Sequence, residues 1–326
     1  MSTESAPSRD ATRRLCILVP VFNEAPVLRL LMPRLDAALA TIDAAVSVLF
    51  IDDGSTDATP HELAAIANND ARVSVLRLTR NFGKEAAMTA GLDHADADAV
   101  VILDADLQDP PEVIREFWAR FEQGADVVYG VRISRAGESW LKRFTAATFY
   151  RLIDRLSDTP IPRDTGDFRL LSRRAVDALK QVRERHRFMK GLFGWVGFTQ
   201  VPVHYHREPR AAGTSKFNFW KLWNFALEGI TSFSTVPLRI ATWIGLLTAL
   251  VAFLYGTVVI AKTLMHGEPV RGYPSLMSVV LFLGGVQLVA LGIIGEYLGR
   301  MYEETKRRPL YLIGDSIRVT PVSRSN

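Results

Sequence analysis

The chain has 326 residues, of which 48% are apolar and 23% charged, with a formal net charge of +4 and a single cysteine. That length suits one large domain or two modest ones. A lone cysteine excludes a disulfide framework, and an apolar content this high points to more than an ordinary soluble domain.

Residues 1–13 are polar and read as a disordered tail with no signal peptide. From residue 14 on, short apolar runs alternate with helical patterns. LCILVPVF, VSVLFIDD, VSVLRLTR, AVVILDAD and DVVYGVRI are strand candidates, rich in Val, Ile and Leu. Cys16 falls inside the first and reads as a small core residue. EAPVLRLLMPRLDAALATI, TPHELAAIAN and GKEAAMTAGLDHA separate the first four. PEVIREFWARFEQG follows the fourth, with Pro110 and Pro111 suited to a first helical turn. This βαβαβαβαβ order predicts an α/β fold with a mostly parallel sheet covered by helices.

Such sheets bind ligands at the carboxyl ends of their strands. The polar clusters VFNE, DDGSTD, RNFGKE and DADLQD all fall there, so four loops are expected to share one crevice. No GxGxxG follows the first strand and no GxxxxGK[ST] occurs, which excludes the common glycine-rich phosphate cradles. A divalent cation on Asp104 and Asp106 is the natural substitute. Mg²⁺ and Mn²⁺ prefer carboxylate and phosphate oxygens, and residues two apart in extended chain point to one side. Gln108 offers a third oxygen. Turn and helix-cap chemistry is the plainer reading of DAD taken alone. Asp52 and Asp53 end the second strand, a place where one carboxylate caps a turn and the other is free to accept a hydrogen bond from a base or a ribose. Glu24 reads either as a ligand or as a helix N-terminal charge. Asn81 and Lys84 read as helix-start or supporting residues.

Two later segments have amphipathic character. Residues 139–156 place Leu141, Phe144, Leu152 and Leu156 on one helical face. Residues 217–233 are aromatic and aliphatic except for a stripe at Asn218, Lys221, Asn224 and Glu228. Both are predicted to lie in a membrane interface, core packing being the alternative. Ile240–Ala261 and Gly272–Gly295 contain no charged residue, and each is long enough to cross a hydrocarbon core of about 30 Å. Lys216, Lys221 and Arg239 precede this pair and Arg300, Lys306, Arg307 and Arg308 follow it, against Lys262 and Arg271 between. The positive-inside rule then places both ends in the cytoplasm.

The motifs VPVFNE (19–24), DDGSTD (52–57), RNFGKEAA (80–87), DADLQDPP (104–111), DTGDFRLLSR (164–173) and GTSKF (213–217) together resemble the inverting family 2 glycosyltransferases. Among these, the chain is similar to the polyprenyl-phosphate enzymes, relatives of dolichol-phosphate mannose synthase and of bactoprenol glucosyltransferases. The resemblance implies a GT-A fold and a metal-dependent hexosyltransferase. It implies transfer of a hexose from a nucleotide diphosphate sugar, UDP-glucose in the nearest branch, to a polyprenyl phosphate. It also implies a multi-pass protein of the bacterial inner membrane with a cytoplasmic catalytic domain. In the matching motifs, Pro20, Phe22, Glu24, Ile51, Asp52 and Asp53 become donor-binding residues. Asp104, Ala105 and Asp106 form the metal motif, with Gln108 beside it. Arg132, Arg210 and Lys216 are basic residues of the donor site, the last two catalytic with Asp106, and Asp167 matches a proposed base. The QxxRW motif of processive synthases is absent. A polysaccharide or protein acceptor and a GDP-mannose donor are the alternatives. Mg²⁺ or Mn²⁺, the donor, the lipid acceptor and the bilayer are the expected partners, with a homo-oligomer open and no nucleic acid.

The domain expectation is therefore a tail at 1–13, a GT-A domain at 14–216, an interfacial helix at 217–237, transmembrane helices near 240–261 and 274–297 within 238–300, and a cytoplasmic tail at 301–326.

Overall fold

The computed structural model describes residues 12–133, 165–185, 187–208, 236–266 and 272–319. The segments read as interfacial helices at 139–156 and 217–233, together with Arg210 and Lys216, lie outside these residues.

The order is β1 (Arg14–Val21), α1 (Ala25–Leu39), β2 (Ala45–Asp52), α2 (Thr59–Asn69), β3 (Val73–Leu78), α3 (Lys84–His94), β4 (Ala99–Ile102), α4 (Ile114–Glu122) and β5 (Val127–Arg132). Then come β6 (Thr165–Ser172), α5 (Arg173–Gln181), α6 (Met189–Trp195), β7 (Gln200–Tyr205), α7 (Val236–His266), α8 (Tyr273–Thr305) and β8 (Ile313–Ile317). The described strands form one sheet in the order β7-β5-β6-β4-β1-β2-β3-β8. β1 pairs in parallel with β2 and β4, β2 with β3, and β5 with β7, whereas β6 and β8 run antiparallel to their neighbours. The mostly parallel α/β reading of the sequence holds.

Strand periodicity builds the two faces of the core. Along β1, Leu15, Ile17, Val19 and Val21 join a cluster with α1, α2 and α4, while Cys16 and Leu18 point to the cluster under α3, α5 and α6. Successive side chains of a strand face opposite ways, so a strand covered on both sides reads as an unbroken apolar run. Each fully buried Leu, Ile or Phe contributes about 1.5–3 kcal/mol. Cys16 is buried, and burial pushes its thiol up to about 11.

β6 was not among the strand candidates. It inserts antiparallel between β4 and β5, with Ile102 opposite Arg169. An antiparallel strand enters the sheet where its neighbour leaves it. Two residues beyond Ile102 stands Asp104, and two before Arg169 stands Asp167, so this register brings the two carboxylates to one edge.

α7 and α8 are longer than expected, and both contain spans apolar enough to cross a membrane, at Ala241–Val258 and Phe282–Thr305. Their described side chains are largely exposed. At 1.5 Å per residue each helix exceeds a hydrocarbon core of about 30 Å.

After α8 the chain does not trail away as the expected tail. Ile313–Ile317 pairs antiparallel with β3 at the sheet edge. Tyr311 is buried beneath α3, and Leu310, Ile313 and Val319 pack on the same cluster. The strand is short and weakly apolar because it covers an edge rather than crossing the core.

Candidate active site

The crevice lies at the carboxyl ends of β1, β2 and β4. Its cavity of about 290 Å³ is lined by Pro20, Val21, Phe22, Glu24, Asp53, Asn81, Gly83, Lys84, Ala87, Asp104, Ala105 and Asp106. The loops around it are locked to one another through backbone groups. The Asn23 side chain accepts from the Thr56 amide at 2.9 Å, and the Asn23 amide donates to Ser55 Oγ at 2.9 Å. Gly54 has φ +69°, and a Cβ there would come within 2.3 Å of the Arg80 backbone, so only glycine lets these two loops touch.

The Asp52–Asp53 pair divides its work. Asp52 is fully buried, accepts from the Ser55 amide at 2.9 Å and lies 3.2 Å from Arg77 Nε, which makes it a turn and pairing residue. Asp53 lines the cavity. Its Oδ1 accepts from the Phe82 amide at 2.7 Å and its Oδ2 from the Gly83 amide at 2.9 Å. Burial raises its pKa against the pull of these two amides. Each oxygen keeps a second lone pair. Ile51 belongs to the core under α3, so its side chain does not reach the cavity.

Asp104 and Asp167 meet across one ammonium group. Lys84 Nζ lies 2.6 Å from Asp104 Oδ1 and 2.5 Å from Asp167 Oδ2. Burial works against the charge on Asp167, but Lys84, then Lys190 and Arg169, outweigh it and hold its carboxyl well below the usual range. Lys84 loses by desolvation and gains more from its two carboxylates, so its pKa rises. The second Asp167 oxygen is buried and has no hydrogen-bond partner among the described residues. Asp106 Oδ1 accepts from the Gln108 amide at 3.1 Å. Between them, Leu107 takes a left-handed φ of 56°. That costs a bulky residue of order 1–3 kcal/mol, and such strain concentrates at functional loops.

Gln108, expected as a third metal ligand, turns its side-chain oxygen to Arg207. Arg132 stands at the end of β5 and pairs with Asp109 at 3.5 Å and Tyr205 Oη at 3.2 Å. It passes over Gly166, where a Cβ would lie 2.6 Å from Nη2. Asp109 is buried and also accepts from the Tyr205 hydroxyl.

Arg169 is available beside Asp167 on the sequence alone, but three charged residues here, Lys190, Glu85 and Arg207, escaped sequence reading as site members. Lys190 and Arg169 act on Asp167 electrostatically, and burial lowers the pKa of both, that of Arg169 to about 10. Glu85 is pushed up to about 8 by burial and by the Asp167 charge, and it accepts from the Met189 amide at 3.2 Å. Arg207 holds the Gln108 side chain. Lys190 sits in FMKGLFGW, a stretch with no polar pattern, and becomes visible only once α6 is packed on β6.

Residues 16–180 match the model of glycosyl transferase family 2, and residues 236–301 match that of the GtrB C-terminal hairpin. The chain belongs to glycosyl transferase family 2. Among family 2 relatives, an SfII prophage-derived bactoprenol glucosyl transferase of Shigella flexneri is 50% identical over 308 residues, 94% of this chain and 100% of that one. An uncharacterized glycosyltransferase of Synechocystis sp. is 49% identical over 304 residues, 93% of this chain and 96% of that one. A solved Pyrobaculum calidifontis mannosyltransferase in complex with GDP-Man and Mn²⁺ is 16% identical, covers 90% of this chain and 77% of its own, and has a TM-score of 0.44.

Proposed function

We propose that this family 2 glycosyltransferase moves glucose from UDP-glucose to a polyprenyl phosphate at the Asp104–Asp167 crevice. The observation that carries the reading is that the chain joins this crevice to the hairpin and matches a bactoprenol glucosyl transferase along that relative's whole length. The hairpin would span the bacterial inner membrane and hold the crevice on its cytoplasmic side, where a lipid phosphate can reach it.

Phe22 is 36% exposed at the cavity mouth, and its ring suits stacking on a base. Asp53 and Glu24 line the same cavity and offer acceptors to base or ribose hydrogens. Asp104 and Asp106 share a wall of it, and their oxygen donors fit a hard divalent cation, Mg²⁺ or Mn²⁺, completed by a diphosphate. Such an ion neutralises charge developing on a leaving diphosphate. Arg132, Arg210 and Lys216 are further candidates for that charge, and Gln108 could join the metal site only after releasing Arg207.

The acceptor needs little activation. A phosphate monoester has a second pKa near ~6, so it is largely dianionic at neutral pH. One of its oxygens forms a bond to the anomeric carbon while the bond to the diphosphate oxygen breaks, and the electron pair leaves on the diphosphate. Displacement from the opposite face inverts the carbon. Asp167, held ionised by Lys84, is a poor base, and it orients sugar or acceptor instead.

The test is a panel of nucleotide sugars incubated with the full-length protein, polyprenyl phosphate and Mg²⁺ or Mn²⁺, followed by lipid chromatography. UDP-glucose is expected to give a labelled lipid. Labelled lipid from GDP-mannose alone, or labelled polymer without labelled lipid, overturns the reading.

A further inference from the structure

Lys84 covers both carboxylate oxygens of Asp104. Its ammonium lies 2.6 Å from Oδ1 and 2.8 Å from Oδ2 of that carboxylate, straddling both oxygens. The same ammonium reaches Asp167 Oδ2 at 2.5 Å. The segment that delivers it is fixed. Asp53 clamps the amides of Phe82 and Gly83, and Gly83 takes φ +98° as the residue before α3. Beyond that anchor the four-carbon stem of a lysine is free to pivot. An ammonium and a divalent cation cannot share one carboxylate face, because like charges a few ångströms apart repel by several times thermal energy even at an effective dielectric constant of about 20.

We propose that Lys84 is a displaceable counter-ion. Without metal it neutralises Asp104 and Asp167 together. When a divalent cation binds Asp104, Lys84 leaves that carboxylate, keeps its contact with Asp167 and turns its free N–H groups to the donor diphosphate in the same cavity. Asp167 tolerates the shift because Lys190 and Arg169 also act on it. Lys84 is thus a positioning residue that couples metal entry to donor binding and disfavours metal binding in the absence of nucleotide. The inference rests on the reading of Asp104 as a metal ligand.

The test is Mn²⁺ binding to the full-length protein in detergent without nucleotide, followed by electron paramagnetic resonance, for wild type, Lys84→Met, Lys84→Gln and Asp104→Asn. The lysine variants are expected to bind Mn²⁺ more tightly, by about tenfold or more, since one competing unit charge is gone. Their affinity for UDP in the presence of saturating Mn²⁺ is expected to fall. Asp104→Asn is expected to lose Mn²⁺ binding. If Asp104→Asn binds Mn²⁺ like wild type, the metal reading fails and the proposal fails with it. If Asp104→Asn loses the ion while folded Lys84→Met and Lys84→Gln bind it no more tightly than wild type, the metal reading stands and displacement is wrong. Should Lys84→Met not fold, Lys84→Gln, which keeps a hydrogen-bond donor, gives the same comparison.

Discussion

Tyr311 donates a hydrogen bond of 2.7 Å to Asp93, a residue 218 positions earlier in the chain. Asp93 sits at the end of α3, the helix that begins with Lys84, and it also pairs with Arg183 at 2.8 Å. Segments before and after the α7–α8 hairpin in the chain therefore meet under one helix of the crevice. Arg318 extends the junction, donating to the carbonyl of Asp70 at 2.6 Å behind α2.

Tyr311→Phe is expected to remove one hydrogen bond to a charged acceptor, lowering stability by about 1.5–3 kcal/mol. Tyr311→Ala also empties a buried aromatic site, for about 3–5 kcal/mol. Chemical denaturation in detergent, followed by intrinsic fluorescence, checks both. Equal stability of all three proteins would mean that this junction does not form.

Removing everything after Ser234 deletes β8 and Tyr311 as well as the hairpin. The shortened protein is expected to be less stable and to bind UDP weakly. Replacing residues 236–305 with a flexible polar linker while keeping 306–319 should restore domain stability without restoring transfer to long-chain lipid in liposomes, because an anchored enzyme meets the lipid phosphate at a high effective concentration. Limited proteolysis and UDP titration separate the two variants. Identical behaviour would reduce β8 to a bystander.

The sheet was largely legible in the sequence because β1 to β5 are apolar runs, each bounded by turn residues. The crevice followed from where those runs end. β8 was not legible: IGDSI carries only two large apolar residues and pairs with a strand more than 230 positions away. The contact between Asp104 and Asp167 was hidden for a similar reason, since it depends on β6 entering antiparallel. Nor was it legible that the Ile51 side chain packs into the core under α3, because local sequence does not tell which face of a buried strand meets which helix layer.

Glu85 gives a pH dependence. Its folded pKa, about 8, lies above the ordinary carboxyl value, so the folded state favours the protonated form. The stability this contributes is fully present below about pH 4.5 and is lost as pH rises through about 8. Glu85→Gln is expected to flatten that decline between pH 5 and 8.5 in denaturation curves. A slope unchanged by the substitution would assign it to another group.

Asp167→Asn separates orientation from proton transfer. Transfer is expected to fall by about 10²-fold or more, the range for a lost positioning interaction, with no recovery at high pH, because the acceptor is already ionised above ~6. Recovery that grows with pH from 7 to 9 would make Asp167 the base.

The most direct measurement uses labelled UDP-glucose, polyprenyl phosphate and the full-length protein in liposomes with Mn²⁺, comparing wild type with Asp104→Asn and Asp106→Asn. The expected result is a labelled glycolipid from wild type, carrying the inverted anomeric linkage, and none above background from either variant. Undiminished glycolipid from both variants, or none from folded wild type, would contradict sugar transfer to lipid at the Asp104–Asp167 crevice.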